Sequence, residues 1–274
     1  PYYGNHRPFT ETFLIPSTWR ELGVALYGSS DAVTGLNYSI AVVNGLDASG
    51  FSNGTGIRGG RFEGGNATAS NIALTGSVQY VMQHFTFQIS AYYGGSAGLT
   101  KREADSLQLN SGMFGTPVGL GEVNVQYRKD RLTAVQYRKD RLTAKVLFAA
   151  ISIPEADKIN RAYANNTAKL SIGGYAEVAY RILKKLKTDA FIRYENFDLN
   201  SSIPKNGIKN EILKQQYIIA GFSCFPTPGV VVKLDYVYKQ TGDLNPALNL
   251  NPFPNAPAYY TTNSFINLGL GYSF

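Results

Sequence analysis

Eleven stretches of this chain alternate apolar with small or polar residues, and the connections between them are by turns long and short. Period-two alternation gives a strand one apolar face and one polar face. The stretches run 19–27, 36–44, 71–81, 85–93, 117–127, 142–152, 168–181, 188–197, 215–225, 230–239 and 265–274. Long connections fall at 45–70, 94–116, 153–167 (with room for a helical turn), 198–214 and 240–264, and short ones at 28–35, 82–84, 183–187 and 226–229. The basic connection 128–141 takes the remaining place on the short side. A soluble sandwich has no reason to sort its loops by length. A membrane-spanning barrel does, with short turns at one rim and long loops at the other. Composition agrees. Charged residues make up 16% of the 274, against about 25% in soluble domains. No apolar run approaches the roughly 20 residues of a transmembrane helix. The expected fold is all-β: a transmembrane, antiparallel, up-and-down β-barrel.

The final strand carries the most specific signal. Ile266, Leu268, Leu270, Tyr272 and Phe274 alternate with Asn267, Gly269, Gly271 and Ser273. This pattern resembles the closing strand of Gram-negative outer-membrane barrels, which implies that Tyr272 and Phe274 form the signal read by the barrel assembly machinery. The alternative is an edge strand of a soluble sandwich. Closed single-chain bacterial barrels have an even number of strands, and eleven is odd. The expectation is therefore one barrel domain over 1–274, its C-terminal two-thirds, with further strands before Pro1. Sixteen is the expected total, within a range of 12–18.

The residues offer little for catalysis. His6 lies in an irregular segment and His84 in a short turn, neither near a Ser/Asp set. A nucleophile needs its base within reach, so no enzyme activity is expected. A single Cys224 excludes an internal disulfide or Cys-rich metal site, and no metal, cofactor or nucleic-acid partner is expected. The Gly pairs at 59–60, 64–65 and 94–95 precede no helix pattern and are not phosphate loops. The Asp/Asn residues of 44–55 need no Ca²⁺, since loop polarity explains them.

Ionisable residues on the polar side of the alternation are Glu21, Glu122, Lys145, Lys169, Glu177, Arg193, Glu195, Lys233 and Asp235. Against lipid an Arg or Lys costs about 2–4 kcal/mol at the midplane, so these are expected to face a water-filled lumen. Loop 45–70, with Arg58, Arg61 and Glu63, is the candidate pore loop; the competing view is a flexible surface loop. The net charge of +7 is carried by the connection 128–141 and by Lys184, Lys185 and Lys187, and the rest of the chain balances. Charge at a wide rim is screened within about 8 Å, so weak selectivity is expected, with any anion preference coming from Arg58 and Arg61. Aromatics fall near strand ends: Trp19, Tyr92, Tyr93, Tyr236 and Tyr238 on the loop side, and Tyr27, Tyr127, Tyr180, Phe222 and Tyr272 on the turn side. Interfacial girdles have this placement, although ordinary strand propensity also supplies such residues. Val125–Ala134 recurs verbatim as Val135–Ala144. Ten is even, so the copy keeps strand register; it is either a duplication lengthening one hairpin or an error in the sequence.

The stretches Ile15-Pro16-Ser17-Thr18-Trp19-Arg20-Glu21-Leu22-Gly23-Val24, Val42-Val43-Asn44-Gly45-Leu46-Asp47-Ala48 and Gly59-Gly60-Arg61 resemble segments of outer-membrane porins of Bacteroidetes-like bacteria, within the broad superfamily that includes the phosphate-selective porins. In that family the first segment lies after several earlier strands. The resemblance implies a water-filled barrel in the outer membrane, often trimeric, passing small hydrophilic solutes and contacting lipid and lipopolysaccharide. The rival function is a barrel that binds partners in an envelope complex.

Overall fold

A computed structural model describes the chain except for residues 1, 16–17, 53, 68, 97–100, 111, 113, 130–141, 184, 246–258 and 273–274. The duplicated stretch with most of its charge, Lys184 and Phe274 thus lie outside the described residues. Eleven strands form one antiparallel sheet in sequence order: β1 (Gly23–Ser29), β2 (Leu36–Asn44), β3 (Ile72–Met82), β4 (Phe85–Gly94), β5 (Val118–Arg128), β6 (Leu142–Ser152), β7 (Leu170–Leu183), β8 (Thr188–Ser202), β9 (Lys214–Cys224), β10 (Val230–Thr241) and β11 (Thr262–Tyr272). The topology is up-and-down, as the alternation requires. The sheet is open: β1 pairs only with β2 and β11 only with β10 among the described residues. Short helices α1 (Phe9–Phe13), α2 (Lys101–Ser106) and α3 (Ala156–Tyr163) lie outside it. No helix of the described residues is long and apolar enough to cross a membrane.

Register sorts the side chains onto two faces. Successive partners Tyr38, Val78, Ile89, Val123 and Phe148 lie on one row, and Val178, Ile192, Ala220, Tyr236 and Ile266 on another. The large members of both rows are exposed, as are Leu26, Leu234, Leu268 and Leu270 on the same face. Water would not tolerate so continuous an apolar band, whereas lipid does. Eleven residues at about 3.4 Å each extend about 37 Å; tilted about 45° they cover the roughly 25 Å apolar band of an outer-membrane barrel. At the turn end of this outer face Phe85, Tyr127, Tyr180, Phe222 and Tyr272 form an aromatic border, with the Phe85 and Tyr127 rings 4.9 Å apart. At the loop end it turns polar through Asn196, Asp198, Lys214, Gln216 and Gln240.

The aromatic placement departs from expectation at three residues. Trp19 precedes β1, and its ring packs 4.7 Å from that of Tyr92, which is buried on the inner face. Tyr27 pairs with Ser39 and so also points inward. None of these three belongs to a lipid-facing girdle. The turns follow local chemistry. Gln83 takes a positive φ of 51° in the tight β3–β4 connection, and Gly229 one of 83° before β10.

The repeat has a structural consequence. β5 ends within the first copy and β6 begins within the second, and Lys129 N donates to Leu142 O at 3.3 Å. Removing residues 130–139 would leave Asp140-Arg141 between those same partners as a two-residue hairpin turn, a favoured length. The truncated protein is therefore expected to keep its strand register, its level in the membrane and its thermal midpoint within about 3 °C. A lost or strongly destabilised barrel would show that the ten residues are structurally required.

Candidate functional site

The stretch before β1, which has no strand periodicity, lies across the inner face. Pro8 opens α1, fixing φ where an N–H would have no partner anyway, and Thr12 and Leu14 donate back to Pro8 and Thr10 carbonyls. From Tyr2 to Glu11 this segment bonds to six successive strands. Asn5 reaches β11 and β10: its N and Nδ2 donate to Asp235 Oδ2 at 2.7 and 2.9 Å, and Nδ2 also to Asn267 O at 3.2 Å. Asn267 Nδ2 holds the other Asp235 oxygen at 2.7 Å. Lys233 Nζ on β10 donates to the carbonyls of Tyr2 and Gly4 at 2.6 and 2.9 Å. Ser223 on β9 donates to Tyr3 O.

Farther along, Thr10 donates from N and Oγ1 to Glu195 Oε2 on β8, at 2.8 and 3.0 Å. Glu11 accepts from Lys145 Nζ on β6 at 2.8 Å, from Tyr175 OH on β7, and from Tyr2 OH at 2.9 Å. Apolar contacts fill the gaps: Phe9 stacks on Tyr217 at 4.2 Å, Phe13 approaches Phe197 and Tyr3 approaches Phe191. Leu14 ends the segment in a buried cluster with Leu46, Phe51, Ile57, Ile151, Ile153 and Leu199.

Beneath the segment sits a buried charge cluster. Arg193 is 1% exposed; its Nε and Nη2 hold Glu177 Oε2 at 2.8 and 2.5 Å, and Nη1 lies 3.6 Å from Glu195 Oε1. The same Nη1 donates to His6 O at 3.4 Å. Such a cluster is tolerated only when each group is paired, and removing one partner costs about 3–5 kcal/mol. The segment supplies part of that pairing. Burial pushes the Glu11 carboxyl up, but the Lys145, Tyr175 and Tyr2 donors outweigh it and hold the group below its ordinary value of 4.5.

The structure thus places the nine residues assigned to the lumen in three ways. Lys145, Glu177, Arg193, Glu195, Lys233 and Asp235 are brought together under the segment. Glu122 stands apart on β5, bonded by Asn124 Nδ2 at 2.9 Å. Glu21 and Lys169 lie near the loop end: Glu21 accepts from Trp19 Nε1 and Asn44 Nδ2 at 2.8 and 2.7 Å, while Lys169 is exposed beside β7.

Loop 45–70 folds through two 3-10 turns, Ala48–Gly50 and Ile57–Gly60, and buries Leu46, Ala48, Phe51 and Ile57. Arg58 Nη1 donates to Thr12 O at 3.2 Å, so this loop braces the segment. Arg61 pairs with Glu63 at 3.1 Å and turns its Nε to Arg58 O. Among the described residues no group of three or more His, Cys, Asp or Glu side chains could hold a metal. The sequence signal that could have marked the segment is its run of Tyr2, Tyr3, Phe9 and Phe13 without strand period, which is apolar material seeking a surface.

No family model matches the chain. An uncharacterized protein of Aquifex aeolicus (strain VF5) is 27% identical over 244 residues, covering 86% of this chain and 52% of that protein, so the chain spans about half the length of the curated relative it matches. Among solved structures, the Salmonella typhi OmpF complex with daunomycin aligns with a TM-score of 0.51 at 12% identity, over 92% of this chain and 61% of that one. The fold is thus porin-like.

Two outcomes test the seating of the segment. The Glu11 carboxylate is held below 4.5, so its contribution is full above that value and is lost as pH falls through the depressed value. Spin labels at His6→Cys and Asn263→Cys, in a Cys224→Ser background, should report one short distance at pH 7 and a broadened, longer distribution once the pH has been lowered through the depressed value. Glu11→Gln should show the broadening already at pH 7, since it forfeits a charged hydrogen bond of about 1.5–3 kcal/mol. Gly269 provides the second test. A Cβ built there would lie 1.9 Å from Asn5 Oδ1. Gly269→Val should displace residues 2–6 and raise their hydrogen exchange about tenfold or more, leaving the strands protected.

Proposed function

We propose that the protein is an outer-membrane porin that lets small hydrophilic solutes and ions diffuse through a water-filled barrel with weak selectivity. The observation that carries this is the pairing of a lipid-compatible outer face with an inner face on which a single segment is hydrogen-bonded from β6 to β11. A partner-binding barrel needs no such inner furnishing. The porin-like fold supports the reading, and it also favours a channel over an enzyme. The segment 2–14, braced by Arg58, is proposed to narrow the pore. Arg61, paired with Glu63, contributes less field than expected from its charge alone. The barrel is proposed to close with strands beyond these eleven, sixteen in all, because an unpaired strand edge is not viable in lipid. An outer-membrane location in contact with lipid and lipopolysaccharide, assembly through the barrel machinery guided by Tyr272 and Phe274, and a trimeric state belong to the same proposal.

Planar-bilayer recording of the full-length protein tests it. Stepwise conductance increments are expected, with Gly269→Val giving larger or noisier steps than the parent. A folded, membrane-inserted protein without conductance would favour the partner-binding barrel.

A further inference from the structure

The two halves of the inner face differ in chemistry. On β6–β11 and the segment over them lie four carboxylates (Glu11, Glu177, Glu195, Asp235) and four cations (Lys145, Arg193, Lys233, Lys239); Lys145 pairs with Glu11 and Arg193 with Glu177 and Glu195, while Lys233 is held by the Tyr2 and Gly4 carbonyls. Lys239 Nζ lies 5.7 Å from the centre of the Tyr217 ring. Near the turn rim Arg181 and Asp189 add a balanced pair at 2.8 Å. Opposite charges gathered in equal number on this half leave it little net field in the water beyond.

The inner face of β1–β5 is different. Among the described residues, the segment from Tyr2 to Thr12 makes no hydrogen bond to it. Its middle rows run Ser39, Ser77, Ser90, Glu122 and Asn37, Gln79, Gln88, Asn124, all on one face by register. The side chains bond to one another, across strands from Ser39 to Ser77 at 2.9 Å and from Gln79 to Gln88 at 3.3 Å, and along β4 from Gln88 to Ser90 at 3.1 Å. Most are partly exposed. This wall is hydroxyls and amides with one carboxylate between its ends, Glu122, which accepts from the neutral Asn124 amide. Glu21 lies at the loop rim and Arg128 at the turn rim.

We propose that the solute path runs along the inner face of β1–β5, beside the segment, and that Glu122 sets the pore's charge preference by favouring cations over anions of equal size. This rests on the porin assignment. The neutral donors and acceptors replace the hydrogen bonds a hydrophilic solute gives up on entering. A carboxylate backed by a low-dielectric wall focuses its field into the narrow water beside it. The cations on the other side, exposed Arg7 and the Thr12-bound Arg58, stand with the segment rather than on this wall.

The test uses the full-length protein in planar bilayers under a KCl gradient. Glu122→Gln should lower the potassium-to-chloride permeability ratio about twofold or more, and Glu122→Lys should lower it further. In a Cys224→Ser background, a negatively charged methanethiosulfonate should cut the conductance of Ser77→Cys and Ser90→Cys. It should leave Ile219→Cys unmodified, since Ile219 is buried under the segment. Permeability ratios unchanged by either Glu122 substitution, or block through Ile219→Cys but not the serine positions, would overturn the path while leaving the porin assignment standing. Absence of any conductance from the parent would overturn both.

Discussion

Everything in this molecule follows from one constraint: a strand in lipid must pair its backbone laterally and turn its polar side chains away from the hydrocarbon. Alternation meets the second demand on every strand at once. Once the outer rows are Val, Ile, Leu and aromatic, ionisable residues on the strands are confined to the inner face or the rims. Glu177, Arg193, Glu195 and Asp235 are therefore concentrated on a small surface, where unpaired charge would be costly. The segment from Tyr2 to Leu14 relieves that cost, supplying the Thr10 and Asn5 donors that the carboxylates require.

The exchange works in both directions. A segment of ten or so residues loses roughly 1–2 kcal/mol of backbone freedom per residue on being ordered, more than scattered exposed hydrogen bonds could offset. Here each turn of the segment is matched by a wall group chosen for it: Lys233 for two carbonyls, Ser223 for a third, and Tyr217 and Phe197 for Phe9 and Phe13. Arg193 joins the two systems, bonding the wall carboxylates and the His6 carbonyl with one guanidinium. Its planar fork of donors makes that sharing feasible.

Strands were readily legible in the sequence because period-two alternation is local. The boundaries inferred for β2 and β6 match the structure, and β8 differs mainly by running on to Ser202. Turn polarity was legible too, since Gln83–His84 and Pro226–Gly229 leave no length for anything but a reversal. The segment was not legible. Its contacts join residues 2–14 to loop 45–70 and to strand partners as far on as Asn267, and no local pattern encodes a pairing across such a separation. Trp19 misleads for a related reason: its position near a strand end suits a girdle, but the Glu21 carboxylate two residues on draws its N–H inward. Loop 45–70 was singled out for its arginines, yet its buried Leu46, Phe51 and Ile57 decide its place, and Arg58 follows.

Periodicity also leaves the two halves of the inner wall indistinguishable. Ser77 and Ser90 on one half and Arg193 and Glu195 on the other occupy equivalent places in the alternation. What separates them is whether the side chain can be satisfied by its neighbours alone. A serine or glutamine finds a lateral partner one strand away and remains wetted, as Ser39 with Ser77 and Gln79 with Gln88 show. A buried glutamate cannot be satisfied so cheaply and needs a cation and N–H donors from outside the sheet. Residue choice on the inner face therefore specifies where the segment lies and, by difference, where it does not. In the reading proposed above, the solute path runs beside the strands whose side chains ask for nothing from the segment.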